Sequence, residues 1–487
     1  MSQVPNVIVL IFDTLRSDYI SPYDADIETP AFQTAAEIGT VFESAFTAAP
    51  GTPVSHASIY TGKYPSEHGV TGQYIDLPKD VPVLAEEFSE AGYETFGVTG
   101  PSKMGSDWQY DRGFDELFEP YYDMPPADSL GSLRTAVEDK TFRQYLIRKI
   151  TKGGSEKTRY KFDLIRNRIR SDIDKPFFIL SNFMTVHSSY DPPRPYKEDI
   201  NSVFSRPRLQ ILEILLDDHG EIDDQDIRSE RVMNMEWSEG IGRYLADPSY
   251  LNDGEIELLR DWYTASVQYL DDELGRFLEF YREELIDDTV LILTADHGEQ
   301  LGEHGLWAHS YYLYDETLKI PLIMVGPEVP SGARRSDLAS HVDLFGTLCD
   351  ICGVKTPQSV SGASLFAEYD RDAVFMEYGQ RDTKKFSETS HGEYLDDEQL
   401  RAICAGRKAI RTEDFRFEIT SNGTEHLYSL PEQIDVTGQH PDLTASLKAR
   451  LVETLGDDFG TWPEGNPDEL QIGEQVQQNL RELGYIE

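Results

Sequence analysis

The sequence predicts an α/β fold, with a mainly parallel central sheet that carries helices on both faces, followed by a smaller α+β domain. Short, continuous apolar runs alternate with helical periodicity through most of the chain, which is typical of parallel strands buried on both faces. After about residue 370 the pattern changes to strand-like segments around an Asn-Gly turn, a strong hairpin signal. We therefore expect a larger domain over residues 1–368 and a smaller one over residues 369–487.

The elements of the larger domain follow from its apolar runs. A helix is expected at Val81–Ala91, and strands are expected at Val7–Phe12, Tyr93–Val98, Phe177–Leu180, Val290–Thr294 and Leu322–Val325. Between residues 123 and 263 the chain becomes long, charged and helical. That pattern predicts an insertion between core strands, which usually shapes access to a site.

The smaller domain is predicted from its turn and from the strand-like segments around it. The strands are expected at Ala373–Tyr378, Ala402–Thr412 and Phe415–Thr420. The turn Ser421–Gly423 should end the last of them as part of a hairpin. Helical patterns follow at Leu443–Leu455 and in a final stretch that ends at Glu487.

The charge balance narrows the partners and the environment. The chain has 44 Lys and Arg against 88 Asp and Glu, a formal net charge of −44 and a pI near 4.5. Such an anionic surface disfavours nucleic-acid binding and is typical of proteins that work in concentrated salt, where screening removes self-repulsion. Three cysteines, an N-terminus without a secretory pattern and no long apolar stretch predict a protein of a halophilic cytoplasm. The sequence carries no signal for an oligomeric state.

One segment, the basic island at residues 134–170, opposes this charge. It contains 12 Lys or Arg and four acidic residues, with amphipathic apolar positions at Phe142, Leu146 and Ile150. This composition fits capture of an anionic substrate or peripheral contact with an anionic membrane surface. It equally fits a solvated helical pair that neutralises neighbouring acidic surface, and the sequence leaves both interpretations open.

Three polar residues stand where parallel strands would deliver them to one edge of the sheet. Asp13 ends the first strand, and Asp296 and His297 follow a later one, with Gly298 permitting the bend that adjacent ligands need. Two carboxylates and an imidazole suit a divalent cation. The hydroxyl of Thr52 would complete the site, because a metal ion lowers the pKa of a hydroxyl and activates it as a nucleophile. These four residues are the predicted metal ligands, and Thr52 is also the predicted nucleophile.

The wider pattern resembles the sulfatase family of the alkaline phosphatase superfamily. The shared features include the loop Thr52–Gly62, Arg112–Asp115, His187 before a Pro-containing turn, Tyr269–Asp272, Asp296–Gly298, Gly302–Gly305 and His341–Asp343. The resemblance covers most of the chain and implies the family's fold and a metal-dependent ester hydrolase. Set against the family's Cys-x-Pro-Ser-Arg loop, Thr52 takes the place of the cysteine and His56 that of the arginine.

The departures from the family's pattern lie around the expected site. Thr14 stands where sulfatases usually have a second Asp, His297 where they often have Asn, and His309 in place of a family lysine. Threonine cannot be oxidised to the formylglycine that sulfatases use, so a phosphate ester becomes a better candidate substrate than a sulfate ester. The changed ligands favour Mn²⁺ or Zn²⁺ over Ca²⁺. One metal ion is favoured, although His341 with an unassigned Asp could supply a second site.

Three histidines complete the predicted catalytic set. The resemblance gives His187 a contact with the ester group, His309 a contact with the transferred group or the leaving oxygen, and His56 a role within the nucleophile loop. We expect cleavage of a phosphate or sulfate ester through a covalent Thr intermediate, on a small anionic substrate that is free or carried on a glycan or lipid. The alternatives are a phosphodiesterase or alcohol-phosphate transferase acting on glycans or lipids, and a catalytically silent metal-binding protein.

Overall fold

The structure is a computed structural model that describes residues 4–71, 75–100, 102–119, 157–171, 176–197, 200, 237–367 and 371–459. The strands of its larger part, in chain order, are β1 (Asn6–Phe12), β2 (Thr40–Phe46), β3 (Glu94–Val98), β4 (Glu116–Phe118), β5 (Phe177–Phe183), β6 (Thr289–Thr294), β7 (Gln300–Leu301), β8 (Trp307–Ala308), β9 (Leu322–Val325) and β10 (Ala333–Ser340). Eight of them form one sheet in the order β10-β2-β9-β6-β1-β5-β3-β4, and β7 pairs with β8. Strand β9 runs antiparallel to both neighbours, and the other neighbouring pairs are parallel.

Helices surround this sheet. In chain order they are α1 (Pro30–Ile38), α2 (Thr52–Thr61), α3 (Pro65–His68), α4 (Leu84–Glu90), α5 (Lys157–Arg170), α6 (Trp237–Ala246), α7 (Asp253–Glu284), α8 (Asp315–Leu318) and α9 (Asp343–Cys352). The central strands β1, β5 and β6 are buried along almost their whole length, so both faces of the sheet are covered. Within the part of the chain that the structure describes, no helix has the combination of length and apolarity that crossing a bilayer requires.

The strands predicted from apolar runs are confirmed as β1, β3, β5, β6 and β9. Strands β2 and β10 were not predicted, because Glu43 and Ser44 interrupt the apolar pattern of β2, and β10 alternates exposed and half-buried residues over most of its length. The range 123–263 contains β5, which lies between β1 and β3, so its described helices flank a central strand. Parts of that range, 123–156, 172–175, 198–199 and 201–236, lie outside the described residues.

The second part of the chain forms a five-stranded antiparallel sheet in chain order: β11 (Val374–Tyr378), β12 (Arg407–Arg411), β13 (Phe415–Thr420), β14 (Glu425–Ser429) and β15 (Ile434–Asp435). Helices α10 (Thr383–Ser387) and α11 (Asp397–Ile403) precede β12, and α12 (Pro441–Leu455) packs on the sheet. The predicted strand at Ala402–Thr412 is wrong at its start, because Asp396 caps α11 and the chain leaves that helix only at Cys404. The turn at Gly423 and the helix near Leu443–Leu455 are confirmed. The predicted final helix lies outside the described residues.

The described half of the basic island, α5, uses its positive charges within the protein. Three arginines pair with acids on other elements: Arg159 with Glu273, Arg168 with Glu94, and Arg170 with Glu284. Lys161 is buried, and its Nζ donates to the carbonyl of Asn182 at 2.7 Å. These contacts fit neutralisation of neighbouring acidic surface in this half. Residues 134–156, and with them the amphipathic positions behind the membrane interpretation, lie outside the described residues.

Candidate active site

The site lies beyond the carboxyl ends of three adjacent strands. Asp13 directly follows β1, Asp296 follows β6 after one residue, and His187 lies a few residues beyond β5. Because β1 lies between β5 and β6 in the sheet, these three segments meet at one edge. The sequence-based expectation that separated segments converge there is confirmed.

Asp13, Asp296 and His297 form a buried group whose ligand atoms all lie within 4.8 Å of one another. Neither carboxylate oxygen of Asp13, nor Oδ2 of Asp296, has a well-aligned hydrogen bond among the described residues. Burial, with repulsion from Asp296, raises the pKa of Asp13 well above its usual value. Burial would also raise the pKa of Asp296, but His297, His56 and two backbone amides outweigh it and lower that pKa. Two crowded carboxyl groups with unsatisfied oxygens fit a divalent cation, because a cation would offset both the burial and the repulsion.

The orientation of His297 suits this role. Its Nδ1 donates to the carbonyl of Gly298 at 2.8 Å, which leaves Nε2 with its lone pair directed into the site. Nε2 lies 3.1 Å from the Oγ1 of Thr52 and 3.4 Å from Oδ2 of Asp296. The structure thus brings together all four predicted metal ligands, Asp13, Thr52, Asp296 and His297.

Thr52 is the first residue of α2, where Gly51 is the capping residue and Pro53 follows. Its side chain is almost buried and lies at the positive end of the helix. Unpaired amides and the helix dipole at such an end attract anions, including the oxygens of a phosphate or sulfate ester. A hydroxyl at this position can therefore meet an anionic group that the helix itself helps to hold.

His56 lies one turn further along α2 and braces the nucleophile loop. Its Nδ1 donates to the carbonyl of Thr52 at 2.9 Å, and its Nε2 accepts from the Asn182 amide at 3.1 Å. Burial lowers its pKa despite the nearby carboxylate of Asp296, so the ring is neutral at pH 7. Both ring nitrogens are occupied, which gives His56 a positioning function in this structure.

His309 and His187 border the other side of the site. The His309 ring lies 4.4 Å from the His297 ring and 5.4 Å from the His187 ring, measured between centroids. The Nδ1 of His309 is 3.1 Å from Oε1 of Glu299, while the Nδ1 of His187 donates to the carbonyl of Ser188. Burial, followed by the charges of His297 and His187, lowers the pKa of His309 well below its usual value. Burial raises the pKa of Glu299 to about 7, so the two side chains can share one proton at neutral pH.

Three residues with a left-handed backbone surround these groups. Thr14 has φ 61°, and Ala308 and Ser310, on either side of His309, both have φ 71°. Non-glycine residues take this conformation rarely, and it is concentrated at functional sites. The Thr14 hydroxyl donates to the carbonyl of Val186, while its amide donates to Oδ1 of Asp296. Thr14 therefore orients a predicted ligand through its backbone.

His341, the residue considered for a second metal, lies behind the nucleophile helix. Its Nδ1 is 3.2 Å from the Oγ of Ser55, a hydroxyl that donates to the carbonyl of Asp296. Burial lowers the pKa of His341 to about 3, so the ring is neutral. Across the described residues, Asp13, Asp296 and His297 are the one group of His, Cys, Asp or Glu arranged to hold an ion.

Sequence reasoning missed two residues of the site, Glu299 and Asn182. Glu299 is fully buried and carries the contact with His309. Asn182 lies within the apolar strand β5 and holds His56. The available signals were an acid two positions after His297 and a polar residue inside a buried apolar run.

Comparison with known proteins matches this architecture. The family described as Sulfatase matches residues 5–354, and the family described as N-sulphoglucosamine sulphohydrolase, C-terminal, matches residues 302–417. An arylsulfatase of Clostridium perfringens is 25% identical over 392 residues, which cover 74% of this chain and 77% of the relative. The solved phosphonate monoester hydrolase SpPMH from Silicibacter pomeroyi superposes with a TM-score of 0.66 at 19% identity, over 92% of this chain and 94% of the other. BT4656, solved with its substrate D-glucosamine-2-N,6-O-disulfate, gives a TM-score of 0.68 at 19% identity, over 96% and 100%.

Proposed function

The chain belongs to the sulfatase family and is an ester hydrolase of that group, and we propose that it uses Thr52 as nucleophile on a phosphate or sulfate ester. The observation that carries the proposal is the position of Oγ1 of Thr52, at the positive end of α2 and 3.1 Å from Nε2 of His297. No other hydroxyl group named in the site has this setting, because Thr14 and Ser55 donate to backbone carbonyls. Among the hydroxyl groups of the described site residues named above, that of Thr52 lies next to a candidate metal ligand.

One divalent cation, Mn²⁺, Zn²⁺ or Ca²⁺, would be held by Asp13, Asp296, His297 and Thr52. When bound it would lower the pKa of the Thr52 hydroxyl and polarise the ester. Asp13 and Asp296 would supply the carboxylate oxygens that have no well-aligned hydrogen bond within the described part of the chain, and His297 would supply Nε2. The oxygen and nitrogen donors suit Mn²⁺ or Zn²⁺ better than Ca²⁺.

The residues of the chain divide the reaction between them. Thr52 first loses its hydroxyl proton to solvent. Its Oγ1 then attacks phosphorus or sulfur, a covalent threonyl ester forms, and the bond to the alcohol oxygen breaks. The leaving oxygen takes a proton from the pair His309–Glu299, which recovers one when water attacks the threonyl ester and frees the inorganic anion. His187 would contact the ester oxygens. His56 would help to hold Thr52 in position, because its Nδ1 donates a hydrogen bond to the backbone carbonyl of Thr52.

We infer that phosphate is the better substrate, because the route that expels sulfate from a formylglycine diol is closed to threonine. The substrate would be a small anionic ester, free or carried on a glycan or lipid. The formal charge of −44 supports work in a concentrated-salt cytoplasm, where screening lets an anion approach an anionic protein.

The test compares aryl sulfate, aryl phosphate, aryl phosphonate and aryl phosphodiester hydrolysis in high KCl with each of the three cations. Thr52→Ala should lower kcat at least about a thousandfold, as loss of a nucleophile does, and Thr52→Ser should retain part of the activity. Thr34→Ala, which removes a threonine hydroxyl that donates to a helix carbonyl in α1, serves as matched control. Rapid quench and peptide mass spectrometry should find the covalent ester on Thr52.

Each outcome selects among the candidate functions. Activity of Thr52→Ala within tenfold of the wild type would exclude Thr52 as nucleophile. Transfer of the phosphoryl or alcohol-phosphate group to added glycerol, in place of water, would identify a transferase. Cation binding without turnover of any of the four esters would indicate a silent member of the family.

A further inference from the structure

Arg381, in the loop between β11 and α10, differs from its neighbouring arginines. Its Nη2 donates to the hydroxyl of Tyr378 at 2.8 Å, and among the described residues it has no carboxylate partner. The arginines on the same sheet are neutralised, since Arg407 pairs with Glu418 and Arg411 with Asp315, both within 2.7 Å. In a chain with a formal charge of −44, arginines are expected to pair with acidic side chains. Arg381 has no such partner among the described residues, so its guanidinium group can bind an anionic ligand.

The second sheet brings Arg381 close to the nucleophile. A Cβ atom on Gly51, the residue before Thr52, would lie 3.2 Å from Cε2 of Tyr378. The hydroxyl of that same tyrosine accepts the hydrogen bond from Arg381. One tyrosine ring therefore separates the guanidinium group from the start of α2. The charge of Arg381 also contributes to the lowered pKa of His309, which places it within electrostatic range of the catalytic histidine.

Three aromatic rings lie around the guanidinium group of Arg381. The rings of Tyr311, Tyr378 and Phe386 lie 5.4, 5.0 and 5.3 Å from its carbon. Aromatic rings pack against the flat faces of an arginine, which leaves in-plane N–H groups to bind anionic oxygens. The side chain is only partly buried, so a substrate group can reach it.

Two further side chains lie in the same electrostatic neighbourhood. Burial and the charge of Arg381 lower the pKa of Lys103 to about 8, which leaves it positively charged at pH 7. They also lower the pKa of His391 to about 4, and its Nδ1 lies 2.7 Å from the hydroxyl of Tyr311. The charge of Arg381 therefore acts on two side chains besides His309.

We propose that Arg381 forms a subsite for a second anionic group on the alcohol that leaves from the ester. The group is a carboxylate or another phosphate or sulfate. The preferred substrate is then an ester with two negative groups, one transferred to Thr52 and one held at Arg381. The subsite rests on the proposed function for the position of the reacting ester, and its binding of anions does not depend on the nucleophile.

The kinetic test uses pairs of aryl esters that differ in one substituent. One member carries a carboxylate on the ring and the other its carboxamide, and a sulfonate and sulfonamide pair distinguishes the two kinds of anion. In high KCl, wild-type kcat/KM should favour the charged member by about ten- to a hundredfold, the range for a charge-assisted hydrogen bond. Arg381→Gln should bring this ratio close to one, and Arg381→Lys should restore part of it.

Arg401→Gln, an exposed arginine on α11, is the matched control and should keep the wild-type ratio. Melting temperatures show whether the variants fold. Equal use of the charged and neutral esters by the wild type, or an unchanged ratio in Arg381→Gln, would overturn the subsite. A second arm measures binding of the product phenols, carboxylate against carboxamide, to Thr52→Ala by calorimetry. If the carboxylate phenol binds more tightly than the carboxamide phenol and Arg381→Gln removes this difference, the subsite is supported even if Thr52 is not the nucleophile. If the two phenols bind equally, the subsite is rejected.

Discussion

Replacing Asp13 with asparagine should stabilise the metal-free protein and remove its stabilisation by metal. Asp13 is fully buried, its oxygens lack well-aligned hydrogen bonds among the described residues, and burial raises its pKa well above 3.8. The folded state therefore holds a proton that the unfolded chain releases, so stability falls as the pH rises above 3.8. Protonating a carboxyl group of ordinary pKa at pH 7 costs at most about 4 kcal/mol, which bounds the loss.

The asparagine in Asp13→Asn would carry no such penalty, and its amide can donate to the unsatisfied oxygen of Asp296. Urea unfolding in EDTA and constant high KCl should show a free energy of unfolding about 1 to 4 kcal/mol above the wild type. With the cation at about a hundred times its Kd, the wild type should gain about 2.7 kcal/mol and Asp13→Asn far less. The exposed Asp287→Asn is the control, with changes below about 0.5 kcal/mol. A variant less stable than the wild type in EDTA, or equally stabilised by metal, would refute this account of the site.

Two further predictions concern other buried groups. Glu299→Gln should lower kcat/KM for esters of poorly acidic alcohols at least about tenfold more than for 4-nitrophenyl esters. The reason is that His309 loses the side chain with which it can share a proton. Equal losses of kcat/KM across a series of leaving groups would contradict this prediction. His68 donates to Ser58 and accepts from the Val70 amide as a neutral ring, and burial lowers its pKa from 6.5 to about 3. Its contribution to stability should therefore be lost as the pH falls from 6.5 towards 3, by about 1.4 kcal/mol per pH unit, and His68→Asn should flatten the pH dependence of unfolding by that slope.

The central strands could be predicted because strands buried on both faces consist mostly of consecutive apolar residues. Strand β1 is apolar at every position from Val7 to Phe12, and its neighbours are apolar at most of the positions that pair with these residues, the exceptions being Ser181, Asn182 and Thr294. The edge of the sheet gave no such signal, because β10 faces solvent over most of its length. The start of β12 was misplaced for a different reason. Asp396 and Gln399 form a capping box, which favours a helix over the residues that lie between Asp396 and β12.

The ligands of the site could be predicted because strand ends position them, whereas their supporting residues could not. Asp13 and Asp296 follow parallel neighbours, so their proximity follows from topology. Glu299 reaches His309 only because the chain folds back through β7 and β8, a pair of strands with two residues each. Arg381 reaches the site through Tyr378, from a different sheet. Contacts of this kind depend on packing between elements, which no local pattern encodes.

The residues at which this site departs from the sulfatase pattern change the distribution of positive charge around the ester. The resemblance to sulfatases places His309 where the family has a lysine, so a fixed positive charge is replaced by a ring whose Nδ1 lies 3.1 Å from Oε1 of Glu299. The described contacts of Thr52 are with His297 and His56, so a bound cation would supply a fixed charge beside the nucleophile to balance two carboxylates and an anionic ester. Arg381 then supplies a permanent charge one tyrosine ring away, where it can bind the alcohol side of the substrate without competing for the reacting oxygens. On this reasoning the metal site governs turnover and Arg381 governs the choice of substrate, and the two can be changed independently.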